Sequence, residues 1–187
     1  LAWATDEELT DTKLRYQFDK SKPFRSHHAQ QIKLIDEPVL PVDGQYLGYP
    51  VFDGESVVLL VVNFTESAIH ILRFLHQQEK TQEVVRLPLS AVKDCYNLIL
   101  HPSPLSLTRQ PNDGTFEIIW PEQIRFAISS RETLNFRDGD KLYFSIWYED
   151  PDYREETLVR SAQDGTILER FSGDIRIMPN RERWLIK

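Results

Sequence analysis

The stretch "LTRQPNDGTFEIIWPEQIR", residues 107–125, places two runs rich in β-forming residues on either side of Asp113-Gly114. Short runs of Val, Ile, Phe, Trp and Thr bounded by Asp, Asn, Gly and Pro are typical of strands. Asp-Gly favours a type I′ hairpin turn, in which both central residues need positive φ. The stretch therefore predicts two antiparallel strands joined by a tight turn.

The same dipeptide recurs along the chain. Five of the seven glycines directly follow an aspartate. The pairs are Asp43-Gly44, Asp53-Gly54, Asp113-Gly114, Asp138-Gly139 and Asp164-Gly165. Glycines used as turn points between β-rich runs indicate an antiparallel sheet.

Alternation and composition predict a series of strands from residue 45 onward. The predicted strands are Gln45–Tyr49, Ser56–Phe64, Ala68–His76, Val84–Leu87, Tyr96–Leu100, Leu105–Arg109, Thr115–Trp120, Ile124–Ser129, Lys141–Tyr148, Thr157–Ser161, Thr166–Phe171, Asp174–Ile177 and Arg183–Ile186. The run "VVLLVV", residues 57–62, has no polar face. We therefore expect that strand to be covered on both sides. A single helical turn is expected near "LSAVKDCYN", residues 89–97.

An internal similarity appears when residues 107–125 are laid over "LVRSAQDGTILERFSGDIR", residues 158–176. The shift is 51 positions and seven of 19 residues are identical, including Arg109/Arg160 and the Asp-Gly-Thr turn. Each copy reads as strand, turn, strand, connection, strand. The pattern predicts a duplicated C-terminal unit of about 50 residues.

The predicted fold is mainly β, an antiparallel β-sandwich or barrel-like sheet with this duplicated unit. A small β-propeller-like arrangement is the alternative, since a unit of about 50 residues with several strands resembles a propeller blade. The sequence lacks the Gly-His and Trp-Asp signatures of the commonest propeller repeat. Residues 1–32 are predicted to form an N-terminal arm or short helix, and residues 33–187 a single antiparallel β domain, a size that needs no metal or disulfide to fold.

Charge argues against nucleic acid and anionic membranes as partners. Lys and Arg total 22 against 29 Asp and Glu, a net charge of −7, and the basic residues form no dense cluster. Such a chain repels phosphate backbones. The longest apolar run is too short to span a bilayer. The single cysteine, Cys95, fits a reducing cytoplasm, the expected location; export after removal of a signal segment is the alternative.

The segment "EDPDYREE", residues 149–156, holds the densest group of acidic residues in the C-terminal half. Glu149, Asp150, Asp152 and Glu155 offer the carboxylate oxygens that calcium prefers, so a calcium site is one interpretation. The spacing does not match a D-x-D-x-D-G loop, and Arg154 lies among the candidate ligands. The simpler interpretation is a solvated hairpin loop.

Two pairs of residues are candidates for ligand binding. Trp120 and Trp147 are predicted to lie on neighbouring strands, where they can form a stacking platform for a sugar or peptide; filling a core is the alternative. Arg109 and Arg160 each precede an Asp-Gly turn by four residues. They can bind anions, or they can pair with the turn aspartates across a hairpin, and repetition favours the structural role.

Catalytic and metal-binding spacings are missing from the sequence. The five histidines form no H-x-H or H-E-x-x-H pattern, and neither G-x-S-x-G nor a phosphate-binding glycine loop occurs. We therefore expect no cofactor and a non-catalytic binding or protein-interaction protein, with an unidentified protein or small-molecule ligand. The alternative is a hydrolase acting on a sugar or small ester through paired carboxylates. A homodimer through an edge strand is a further expectation.

Overall fold

The computed structural model describes residues 44–54, 56–75, 80–149, 152–178 and 182–186. These residues form almost entirely antiparallel strands, which confirms the predicted fold class. They cluster into two compact units, one ending at Pro102 and the other beginning at Ser103. The predicted N-terminal arm lies outside the described residues, and the single-domain assignment stays a prediction.

Among its described residues the first unit contains six strands. They are β1 (Gln45–Leu47), β2 (Val51–Phe52), β3 (Val57–Asn63), β4 (Ala68–Leu75), β5 (Lys80–Pro88) and β6 (Leu98–Pro102). The sheet has the order β1-β3-β4-β5, and β2 also pairs with β3. Every residue of β3 from Val58 to Asn63 is buried, as expected from its apolar run. A single 3₁₀ turn, Leu89–Ala91, lies where a helical turn was predicted.

The second unit contains nine strands among its described residues. They are β7 (Leu105–Arg109), β8 (Thr115–Trp120), β9 (Ile124–Ala127), β10 (Glu132–Asp138), β11 (Lys141–Tyr148), β12 (Arg154–Ser161), β13 (Ile167–Ser172), β14 (Asp174–Ile177) and β15 (Arg183–Ile186). β7 pairs with β8, and β8 pairs with β9. Strands β10 to β13 form a four-stranded meander, and β14 pairs with β15. β2 and β10 were not predicted.

The four-stranded sheet β10–β13 is packed on both faces. One face, with Phe144 and Leu158, packs against Phe116 of β8 and Phe126 of β9. The ring centroids of Phe116 and Phe144 lie 5.1 Å apart at 84°, the edge-to-face geometry that aromatic pairs prefer. The β8–β9 and β10–β13 strands therefore form two layers of a sandwich.

The opposite face of β10–β13 packs against β14. Phe136, Tyr143 and Val159 form a second cluster, and Ile175 of β14 packs on it. The rings of Phe136 and Tyr143 stack with centroids 4.3 Å apart. Asn135, at a β-bulge in β10, donates a hydrogen bond to the Ile175 carbonyl at 2.8 Å. The bulge thus turns a polar side chain toward the next sheet.

The Asp-Gly turns are confirmed as turns, but their predicted type I′ geometry is wrong. The glycines have positive φ, for example 76° at Gly114 and 75° at Gly165, whereas the described aspartates do not. The aspartate acts through its carboxylate instead. Asp113 accepts a hydrogen bond from the Thr115 amide at 3.1 Å, and Asp164 accepts one from Thr166 at 3.0 Å. This is an Asx turn, which needs only the glycine to be left-handed.

The two halves of the internal similarity adopt similar hairpins and then diverge. β7–β8 and β12–β13 each enclose an Asp-Gly-Thr turn. The third strand differs, because β9 stays paired with β8 whereas β14 leaves β13 and pairs with β15. A duplication and the propeller alternative therefore stay predictions.

Candidate functional site

Arg109 is the buried end of an ion-pair network that reaches the exposed Asp113 of the first Asp-Gly-Thr turn. Its side chain is 1% exposed, and Nη1 donates to Glu117 Oε2 at 3.0 Å across the β7–β8 hairpin. Glu117 Oε1 lies 3.3 Å from Arg125 Nε. Arg125 in turn approaches Asp113 at 3.8 Å. A buried guanidinium already paired to a partly buried carboxylate supports a structural role for Arg109.

Arg160 occupies the equivalent position and has a different partner. Nε and Nη2 donate to the two carboxylate oxygens of Glu132 at 2.8 and 3.0 Å, and Nη1 donates to the Gly165 carbonyl at 2.7 Å. The expected pairing of Arg160 with Asp164 is therefore wrong. The Arg160 and Glu132 side chains are 11% and 4% exposed. The guanidinium also lies over the Phe126 ring, 5.7 Å from its centroid.

Glu132 is a component of this pair that the sequence analysis missed. Besides Arg160, it accepts a hydrogen bond from the Ser129 amide at 2.8 Å. Its own carbonyl accepts one from the Gln110 side chain. No local spacing links Glu132 to Arg160, because the two residues meet only when β10 and β12 flank β11 in one sheet.

The two tryptophans do not lie on neighbouring strands, so that placement is wrong. Trp120 belongs to β8 and Trp147 to β11, which are in different sheets. Trp120 is half-buried, and Trp147 is 45% exposed opposite Glu155 of β12. Their proposed joint role as one stacking platform loses its geometric basis. A ligand-binding role for either residue alone stays a prediction.

The described residues of the acidic segment lie at the β11–β12 hairpin: Glu149, Asp152 and Tyr153 between the two strands, and residues 154–156 at the start of β12. Tyr148 and Arg154 are paired at its base, and the Arg154 guanidinium lies 4.0 Å from the Tyr148 ring centroid. Glu149 and Asp152 are exposed, and Glu155 accepts a hydrogen bond from the Tyr153 hydroxyl.

No group of three or more His, Cys, Asp or Glu side chains within the described residues is placed to hold a metal ion. Asp150 lies outside them. A calcium site at the acidic segment stays a prediction.

Hydrogen bonds hold the turn carboxylates in their charged form. The Thr115 hydroxyl and amide hold the pKa of Asp113 below its usual value. The Thr166 amide does the same for the pKa of Asp164. Both shifts follow from hydrogen bonds that close the turns, so they belong to the fold.

Two buried groups of the first unit have strongly shifted pKa values. Burial raises the pKa of Tyr46 to about 12 and lowers the pKa of His101 to about 4. Each shift keeps the group neutral near pH 7, because burial disfavours the charged form.

The hairpin β14–β15 carries four large apolar side chains that are exposed. All four residues of β15 are exposed, among them Trp184 at 53%, Leu185 at 43% and Ile186 at 52%. Ile177 of β14 is 47% exposed. The residues of β14 and β15 were predicted to form strands, but the sequence does not show that their side chains are exposed.

The two faces of this hairpin differ. Ile175 pairs with Leu185, so both lie on the face that packs toward β10–β13. Arg176 pairs with Trp184, and with Ile186 they lie on the opposite face. We call this second set, Arg176, Trp184 and Ile186, the outer face. Asp174, which pairs with Ile186 and is buried, lies on the same side of the hairpin and accepts a hydrogen bond from Arg176 Nε at 2.5 Å, so the exposed part of this face is mainly apolar.

Comparison with known proteins identifies no relative. No family model matches the chain, no curated protein matches it, and no solved structure matches it. Among the described residues, no helix has the length and apolar character needed to cross a membrane.

Proposed function

We propose that this chain is a non-catalytic interaction protein that binds an extended segment of polypeptide along the edge of β15. The observation that carries the proposal is the exposure of every residue of β15, with three large apolar side chains in succession. Within the described residues β15 pairs with β14 alone. Among these residues no strand pairs with its other edge, and an edge with backbone donors and acceptors beside apolar side chains is the arrangement used in β-strand addition.

The edge of β13 is a useful contrast, because it carries the charged residues that discourage strand addition. Glu169 pairs with Lys141 at 2.6 Å, and Arg170 lies 3.5 Å from Glu156. Charged residues along an exposed edge hinder further pairing. The charged residues of β15 lie at its start. Glu182, just before the strand, accepts a hydrogen bond from Trp184 Nε1, and Arg183 forms an ion pair with Asp138. The remaining three residues are apolar.

Binding of a labelled model strand tests the proposal. The probe is a fluorescein-labelled peptide, Lys-Val-Thr-Val-Thr-Val-Thr-Lys, and the readout is fluorescence anisotropy. We expect saturable binding, weakened about tenfold or more by Trp184→Lys, because the added cation replaces an apolar cross-strand neighbour. The matched control is Leu168→Lys, since Leu168 is 48% exposed on the β13 edge.

A second peptide with every backbone amide N-methylated separates backbone pairing from simple apolar contact. It keeps the side chains and loses its backbone donors on both edges, so strand addition predicts that its binding is lost. Equal binding of both peptides contradicts the proposal. So does an equal effect of Leu168→Lys and Trp184→Lys.

A further inference from the structure

We propose that one end of the sheet β10–β13 binds a phosphomonoester dianion through three arginine side chains held around a tyrosine ring. The residues come from the position just before β10, the end of β11, the start of β12 and the middle of β13. We call them the arginine cluster: Arg131, Tyr148, Arg154, Glu156 and Arg170. The Tyr148 ring lies on the face of the sheet that packs against β8 and β9, opposite the face that packs against β14. The proposal is therefore independent of strand addition at β15.

The Tyr148 ring positions two of the guanidinium groups. It packs on the apolar cluster that contains Phe144 and Leu158, so core contacts fix its position. The guanidinium carbon of Arg154 lies 4.0 Å from the ring centroid, and that of Arg131 lies 5.2 Å from it. Both distances are in the range of cation–π attraction. A ring holds a guanidinium in place without supplying oxygen acceptors for its N–H donors, so these donors can bind an anion.

Carboxylates neutralise the arginine cluster incompletely. Glu156 is shared, because its Oε1 lies 3.6 Å from Arg154 Nε and its Oε2 lies 3.5 Å from Arg170 Nη1. Both distances exceed the roughly 2.7–2.9 Å of a charge-assisted hydrogen bond. Among the described residues, no carboxylate lies within ion-pair distance of the Arg131 guanidinium. Three cations thus share one anion, and two positive charges remain.

The acidic residues beside these arginines in the sequence do not neutralise them. Each arginine directly adjoins a glutamate whose carboxylate has another partner. These pairs are Glu132 with Arg160, Glu155 with the Tyr153 hydroxyl, and Glu169 with Lys141. Side chains alternate between the two faces of a strand, so Glu155 and Glu169 lie on the face opposite the arginines of the cluster. The fold therefore concentrates positive charge at one point of a chain whose net charge is −7.

The three guanidinium groups can be reached from solvent. Arg131 is exposed, and the side chains of Arg154 and Arg170 are 50% and 55% exposed. Arg86 of β5 is a contrast, since its side chain is 54% exposed and its Nη2 donates to Glu66 Oε2 at 2.8 Å. An anion that binds the arginine cluster displaces no such short ion pair.

A phosphomonoester matches the charge that remains. It carries a charge of about −1.5 to −2 at pH 7 and has three strong acceptor oxygens. Guanidinium groups bind such oxygens bidentately, whereas a carboxylate ligand brings one charge only. Glu149 and Asp152, which are exposed in the same hairpin, repel long polyanions such as nucleic acids. A single phosphoryl group in contact with the guanidinium groups gains its hydrogen bonds at short range, where screening by salt is smallest.

Titration of the full chain followed by proton–nitrogen NMR tests the site, because the Nε–H group of each arginine gives its own signal. The probes are inorganic phosphate and the peptide acetyl-Gly-phosphoserine-Gly-amide, in a buffer without other phosphate. We expect both probes to shift the Nε signals of Arg131, Arg154 and Arg170 in a saturable manner. The unphosphorylated peptide should shift none of them. A peptide with glutamate in place of phosphoserine should bind about fivefold more weakly or worse, because it carries a single charge.

The two probes distinguish the source of the phosphoryl group. Binding of the phosphopeptide at least as tight as that of inorganic phosphate assigns the site to a phosphorylated polypeptide, and tighter binding of inorganic phosphate assigns it to the free anion. Unchanged signals with both probes overturn the proposal. Equal binding of the phosphoserine and glutamate peptides overturns it as well.

Three variants test whether the arginine cluster is the binding site. Arg154→Gln should weaken the binding of both probes about fivefold, the loss expected for one exposed charge in contact. Arg86→Gln is the matched control, because it removes a similarly exposed cation outside the cluster, and binding should stay unchanged. Glu156→Gln keeps the side-chain shape and removes the competing carboxylate, so it should tighten binding about fivefold.

A gain of affinity in Glu156→Gln cannot result from partial unfolding, so this variant is informative even if Arg154→Gln folds poorly. Equal effects of Arg154→Gln and Arg86→Gln, or weaker binding by Glu156→Gln, overturn the proposal.

Discussion

Replacing Arg160 with leucine tests whether a buried ion pair holds the second unit together. Arg160 and Glu132 form two hydrogen bonds of 2.8 and 3.0 Å with side chains 11% and 4% exposed. Leucine leaves the Glu132 carboxylate buried without its cation, which costs about 3–5 kcal/mol. The lower figure corresponds to a factor of roughly 150 in the folding equilibrium constant.

The double variant Arg160→Leu/Glu132→Leu distinguishes pairing from simple loss of packing. Removing both charges leaves no uncompensated ion, so its cost should be smaller than the sum of the two single costs by about 1–3 kcal/mol. The remaining cost includes the lost hydrogen bonds to the Gly165 carbonyl and from the Ser129 amide. Each of these contributes about 1 kcal/mol.

Urea unfolding followed by circular dichroism measures these free energies without adding salt. Hydrogen exchange of the β10–β13 amides then assigns the loss to the second unit. Lys141→Leu is the control, because Lys141 and Glu169 form an exposed ion pair of 2.6 Å on the same sheet. We expect its unfolding midpoint to match the parent. Additive costs in the double variant, or an Arg160→Leu midpoint equal to that of Lys141→Leu, refute the reasoning.

Two further perturbations address a turn and a buried histidine. Gly165→Ala should lower the urea unfolding midpoint of the second unit more than Gly139→Ala does. Both glycines have positive φ, so the backbone strain is similar. An added Cβ at Gly165 meets the Phe126 ring within 3 Å, whereas at Gly139 it meets nothing within 4 Å. Equal midpoints would contradict the packing argument.

Stability should also fall as the pH is lowered from 6.5 toward 4. His101 has a folded pKa of about 4 and the unfolded chain binds the proton first, so stability rises with pH in that window by up to about 1.4 kcal/mol per pH unit. Thermal midpoints of His101→Gln should show a flatter profile, and an unchanged profile would contradict this assignment.

Strand positions were largely predictable from the sequence. The predicted bounds of β7, β8, β11, β14 and β15 agree with the structure residue for residue. These strands are short runs of β-forming residues ended by Asp-Gly or proline, so local preference and turn chemistry act together. β10, "ETLNFRD", was missed because only Leu134 and Phe136 are apolar, and a bulge at Asn135 breaks their alternation.

The candidate sites depended on pairing between distant residues and were less predictable. Local spacing correctly identified Arg109 and Arg160 as equivalent positions, but their carboxylate partners come from different places. Glu117 is the cross-strand neighbour of Arg109, whereas Glu132 reaches Arg160 from two strands away. Glu132 and Arg160 meet only when β11 lies between their strands, so no rule based on spacing along the sequence predicts this contact.

The sequence by itself determined that the chain makes antiparallel hairpins, because turn residues and β-forming runs act over a few positions. It also indicated which strand, β3, lies buried. Only the tertiary structure decided which sheet each strand joins and which faces stay uncovered. "RWLI", residues 183–186, has the composition of a core strand, yet all four residues are exposed. Burial depends on the number of layers placed over a strand, and that number is set by pairing across the whole unit.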